Sequence, residues 1–189
     1  MAHRFQMMGL GVLVGSLVLF EVLAYRLAAA MIGIDLAFLV ACLIPVAAGF
    51  GGLSLGRFAA DEARSLHRAA TYAAGAGSVI ILATIALVWA SQLGETGSDT
   101  SPFAIGIVPT LGLLIVPWLG GAAVSVVYRA TAKQSGRTGA VEAMAGAAAC
   151  LLFPVAEWVG YPRFFLVLAA LFSAGAALLA RAAATDSFP

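Results

Sequence analysis

A chain of 189 residues with 62% hydrophobic and 10% charged side chains and a mean hydropathy of +1.03 is no ordinary soluble domain. Globular chains run at roughly 45–50% apolar and about 25% charged, and this surplus would expose more apolar surface in water than a monomer tolerates. The net charge of +1 supplies no basic face for nucleic acid, so the composition points to an integral membrane protein.

The first apolar run, about residues 7–31, is longer than the about 20 residues that cross roughly 30 Å of hydrocarbon. Arg4 before it and Ala28-Ala29-Ala30 after it give it the look of a signal peptide. Its length and the interruption at Glu21 argue against that, because a signal core holds about 7–15 uninterrupted apolar residues. Five further runs follow, about 34–56, 69–92, 102–128, 139–160 and 163–181. Backbone groups in lipid must be satisfied within the segment, so runs this long are helices and not barrel strands. The expected fold is an all-α, six-transmembrane-helix bundle forming one domain over 1–189.

Between the second and third runs, residues 57–68 read as a short amphipathic connector, with Asp61 and Glu62 near Arg64. The stretch 93–101 is acidic, and 129–138, with Lys133, Gln134, Ser135, Gly136 and Arg137, reads as a turn. An N-terminus on the inside puts Arg4, Arg57, Arg64, Arg68, Arg129, Lys133, Arg137 and Arg181 on the inner side and only Arg26 and Arg163 outside. By the positive-inside rule both termini are cytoplasmic, in a bacterial inner membrane. Trp89, Trp158 and Tyr161 then fall near the outer interface.

Small residues recur inside the runs: Gly11 and Gly15 in the first, Gly49, Gly52 and Gly56 in the second, and Ala143, Gly146, Ala147 and Cys150 in the fifth. They predict a tight bundle, since small side chains let helices approach in lipid. Pro45, Pro109, Pro117 and Pro154 should bend their helices. The two cysteines, Cys42 and Cys150, lie in apolar runs and are expected to pack as small hydrophobes. His3 and His67 fall in polar flanks, which leaves no intramembrane haem ligand; no metal site and no cofactor are expected.

Ionisable residues at membrane depth are the candidates for chemistry. Glu21 lies about two-thirds of the way along the first helix, with Tyr25 on its face and Ser16 nearby as an alternative partner; Arg26 is expected to snorkel outward. Asp35 reads as the cap of the second helix, with Arg26 as its neighbour across the turn. Glu142 is placed in the first turn of the fifth helix, where the dipole favours an acid, and Glu157 sits near its other end beside Trp158 and Arg163. Glu21, Tyr25 and Glu157 are thus the candidate substrate-binding set. Arg26, Asp35, Glu142 and Arg163 are the candidate structural charges.

The pattern Ser16-Leu17-Val18-Leu19-Phe20-Glu21-Val22-Leu23-Ala24-Tyr25-Arg26-Leu27, followed by Gly33 and Gly52-Leu53-Ser54-Leu55-Gly56-Arg57, resembles the start of the membrane domain of spermidine-synthase-like polyamine aminopropyltransferases. In that family a soluble Rossmann-like catalytic domain follows the membrane domain. This chain carries no glycine-rich nucleotide loop or acidic cluster of that kind, so the resemblance implies a membrane domain without catalysis. The six-helix layout also resembles half of a major-facilitator transporter.

Three functions are expected to compete. The first is a non-catalytic subunit packed with lipids and other proteins in a respiratory or photosynthetic type of complex. The second is a small transporter or binding protein for a cationic amine, working as a homodimer around Glu21 and Glu157. The third is the membrane domain of an enzyme whose catalytic part is a separate polypeptide.

Overall fold

The computed structural model describes residues 2–32, 34–56, 61–95, 102–131 and 135–186. Among them are six α-helices and no strand: α1 (Ala2–Ile32), α2 (Ile34–Ser54), α3 (Glu62–Glu95), α4 (Pro102–Ala130), α5 (Ser135–Val159) and α6 (Tyr161–Asp186). Five helices are long and apolar enough to cross a membrane, while α4 supplies a shorter apolar stretch, Leu114–Ala130. The chain is therefore a multi-pass membrane protein by helix length and composition.

Every apolar run lies on a helix, but several ends move. α1 begins at Ala2, so His3 and Arg4 belong to its first turn. α3 begins at Glu62, and the connector expected over 57–68 is helical from there on, with Arg64, His67 and Arg68 exposed. Residues 57–60, Arg57 among them, lie outside the described residues. α5 takes in Ser135, Gly136 and Arg137, which were expected in a turn; Lys133 and Gln134 lie outside the described residues. α6 runs on to Asp186. The reason is common to all: a switch from apolar to polar residues marks the edge of lipid, but it does not interrupt the backbone hydrogen-bond ladder.

Four helices make the centre. α3 lies between α6 and α4, and α1 closes the group against α6 and α4. Their buried faces meet through Leu10, Leu13, Phe20 and Leu23 of α1, Leu66 and Ile80 of α3, and Val126 and Phe172 of α4 and α6. On α3 the buried stripe Leu66, Ala69, Ala73, Ala76 and Ile80 has helical spacing and a small waist. Gly77 sits at that waist, facing the Ala169 carbonyl and Ser173 of α6.

The other two helices are peripheral and are held differently. α2 lies along α4 at backbone distance: a Cβ on Gly51 would overlap the Trp118 carbonyl, and one on Gly121 would overlap that of Ala48. Here glycine is required, because nothing larger fits between the two helices. The Trp118 indole N–H also donates to Ser54 Oγ at 3.2 Å. α5 touches mainly α1 and contributes only Ala149 and Ala156 to the apolar core. Its small-residue stripe was expected to pack, yet Ala143, Ala147 and Cys150 are exposed, and a Cβ on Gly146 would meet nothing within 4 Å. Cys42 on α2 is exposed as well, so neither cysteine packs inside. Hydropathy is satisfied by lipid on the outside as well as by protein on the inside, and cannot separate the two faces.

Two local devices shape the ends. Asp61 caps α3, its Oδ1 accepting from the Ala63 amide at 3.1 Å. Gly160, at φ +89°, turns the chain from α5 into α6 in a single residue, with its amide bonded to the Ala156 carbonyl at 3.1 Å.

Candidate functional site

Of the expected set, Arg26 lies on the seam between α1 and α5. Gly11 faces Val141, and Gly15 faces the Ala145 carbonyl, so the two helices run parallel with a register offset of 130 residues. The Gly11-x-x-x-Gly15 pair is thus consumed inside the chain. Carried along the helices, the register brings the Glu21–Arg26 stretch level with residues 151–156 of α5.

At that level the Arg26 guanidinium stands over the Phe153 ring, 5.4 Å from its centroid. Arg26 is exposed, but its head is stacked on α5, an arrangement worth about 0.5–1 kcal/mol at such sites. Glu157 follows Phe153 by four residues, one turn along the same face; its side chain lies outside the described residues. Tyr25 is half-buried against the apolar core. Glu21 is half-buried too, with no hydrogen-bond partner among the described residues. Neither expected partner serves it, since the Ser16 hydroxyl donates to the Val12 carbonyl at 2.6 Å.

The remaining charges are scattered. Asp35 is exposed within the first turn of α2, inside the helix and not at its cap position. Arg163 is exposed in the first turn of α6. Glu142 is the eighth residue of α5, not a first-turn acid, and accepts a hydrogen bond from the Tyr128 hydroxyl of α4. It lies 15 residues from Glu157, about 22 Å along the helix, so the two acids of α5 cannot share a ligand. Among the described residues no three His, Cys, Asp or Glu side chains come together.

Two features went unmarked in the sequence. Gln6 on α1 is buried at 5% exposure, and its amide nitrogen has no partner among the described residues. Its position in the polar flank, before the apolar run, gave no sign of burial. The second is a pair of lateral cavities. One, of about 490 Å³, lies between α1 and α5 and is lined by Met7, Gly11, Val12, Met144, Ala148 and Leu152 among others. The other, of about 450 Å³, lies between α2 and α4 and is lined by Leu43, Val46, Ala47, Phe50, Ile115 and Trp118 among others. Among the described residues no ionisable side chain lines either one. Both are wide enough for a hydrocarbon group and offer nothing for acid–base work.

No family model matches the chain, and neither a curated protein nor a solved structure matches it.

Proposed function

We propose that the chain is a non-catalytic multi-pass subunit, crossing six times with both termini cytoplasmic, that docks other membrane proteins through the α2/α4 face. The observation behind this reading is the concave apolar surface around Val46, Phe50 and Trp118. In lipid no hydrophobic effect drives helices together, and association depends on close, complementary packing. A hollow between two helices fixed at backbone distance offers such packing, whereas a convex, fluctuating face offers only lipid contact. Phe50 and Trp118 supply the large rings that anchor interfaces. Purification in mild detergent tests the idea. The chain should elute with larger partners, and Val46→Trp, which fills the hollow from an exposed position, should release them without altering the chain's own melting temperature. A lone monomer with full biological effect would overturn it.

A cationic-amine site is the second reading, favoured by the register that brings the Glu21–Tyr25 stretch of α1 level with the C-terminal part of α5. It is weakened by Arg26, whose guanidinium stands at that level and competes with any incoming cation. Spermidine binding lost in Glu21→Gln at unchanged melting temperature would move the assignment to this reading.

A further inference from the structure

The cavity between α1 and α5 has a direction and a length. It runs from Met7 and Val141, at the end nearest the N-terminus, to Leu19 and Leu152. Twelve residues of α1 at 1.5 Å each make it about 18 Å long, a little over half of the roughly 30 Å of hydrocarbon. A partner helix would need a groove along the whole thickness; the chain of a lipid in one leaflet needs only this much. The lining suits such a guest. Met7, Met8 and Met144 are flexible thioether side chains that adapt to a mobile chain. The polar group on the wall, the Ser16 hydroxyl, is already satisfied by Val12.

The mouth of the cavity is basic. Arg4 precedes Met7 and Met8 by three and four residues, and Arg137 precedes Val141 by four. Both arginines therefore continue the groove-lining faces of their helices by one turn, and both are exposed. Glu142, the acid of this stretch, is bound by Tyr128 on the α4 side and does not line the groove. Two guanidiniums above an apolar slot of one-leaflet length match a phosphate ester with an acyl chain below it.

We propose that the α1/α5 groove binds one anionic phospholipid, its acyl chain lying along the seam beside the Gly11–Val141 and Gly15–Ala145 contacts and its phosphate held by Arg4 and Arg137. Guanidinium heads suit the task because their fork of donors takes two phosphate oxygens at once. The site uses a different face from the α2/α4 hollow, so neither proposal depends on the other.

The test compares phosphatidylglycerol with phosphatidylcholine of the same acyl chains, added to the delipidated full chain in detergent. Native mass spectrometry should find one phosphatidylglycerol retained, at least about tenfold over phosphatidylcholine. The melting temperature should rise by about 5 °C or more with the anionic lipid. The double variant Arg4→Gln/Arg137→Gln should lose the preference, and Arg4→Lys/Arg137→Lys should keep most of it. Ala148→Phe, an exposed lining position, should block both lipids at unchanged helical content; if that variant fails to fold, Met144→Trp at the rim does the same work. Equal retention of the two lipids, a preference that survives the glutamines, or lipid binding that survives the filled groove would each overturn the proposal.

Discussion

Gly49 and Gly51 lie two residues apart on α2 and should respond to alanine in opposite ways. A Cβ at Gly49 would meet nothing within 4 Å, whereas one at Gly51 would overlap the carbonyl of Trp118, a backbone group that cannot swing aside. Alanine is favoured over glycine within a helix by about 1 kcal/mol, so Gly49→Ala should stabilise by about 0.5–1 kcal/mol. At Gly51 the same gain is set against overpacking of about 1–3 kcal/mol. It is also set against the loss of neighbouring contacts, Gly121 on Ala48 and Gly52 on Ser125, as α2 lifts from α4. For a chain of this size each kcal/mol moves the melting temperature by about 2–4 °C. Gly49→Ala should then melt about 1–4 °C higher than the parent, and Gly51→Ala several degrees lower, followed by circular dichroism in one detergent. Gly51→Ala melting at or above Gly49→Ala would refute backbone-distance packing of α2 on α4.

Tyr128→Phe and Glu142→Gln should each lower stability by about 0.5–1.5 kcal/mol, the scale of a partly exposed hydrogen bond to a charged group. The two losses should not add in the double variant, which a double-mutant cycle reads directly. Gln6→Leu should raise the melting temperature by a few degrees, since it removes a buried amide donor without a partner; a fall would mean that the amide is engaged. For topology, a membrane-impermeant maleimide applied from outside should label a cysteine at Ser98 and spare one at Ser135, as the basic asymmetry requires. That experiment needs Cys42→Ala and Cys150→Ala first, because both native thiols are exposed.

The helices were legible in the sequence because lipid imposes a length: a run of about 20 apolar residues has few alternatives to a helix. Their ends were not. Asp61, read as one charge of a connector, is the cap that starts α3, and only the Ala63 amide above it reveals the role. Facing was illegible for a different reason. Cys42, Cys150 and the Ala143–Ala147 stripe sit in runs whose inner and outer sides are equally apolar, so no periodicity marks the buried side. Site residues divided along the same line. Gly11 and Gly15, offered by the sequence as a close-approach pair, set the α1/α5 register, and Arg26 is the member of the expected set that reaches across to α5. The hydrogen bond from Tyr128 to Glu142 joins α4 to α5, and nothing in either residue's neighbourhood announces it.

The α1/α5 groove follows from how α5 is fastened. Toward one end of α5, Glu142 takes the Tyr128 hydroxyl; toward the other, Phe153 carries the Arg26 guanidinium. The glycines that allow approach belong to α1, Gly11 against Val141 and Gly15 against Ala145, while a Cβ added at Gly146 of α5, between the two fastenings, would find no neighbour. Polar fastenings fix where the helix ends lie, and they do so without requiring side chains to interdigitate along the middle. On α2 the close approach to the α4 backbone is at Gly51, against Trp118, and there too the hollow lies beside the contact. Where α1 and α5 meet through small residues, Gly11, Gly15 and Ala145, the larger side chains flanking them stand apart and leave a slot along the seam. Here that slot matches one leaflet of hydrocarbon, and the arginines stand where a lipid phosphate would lie.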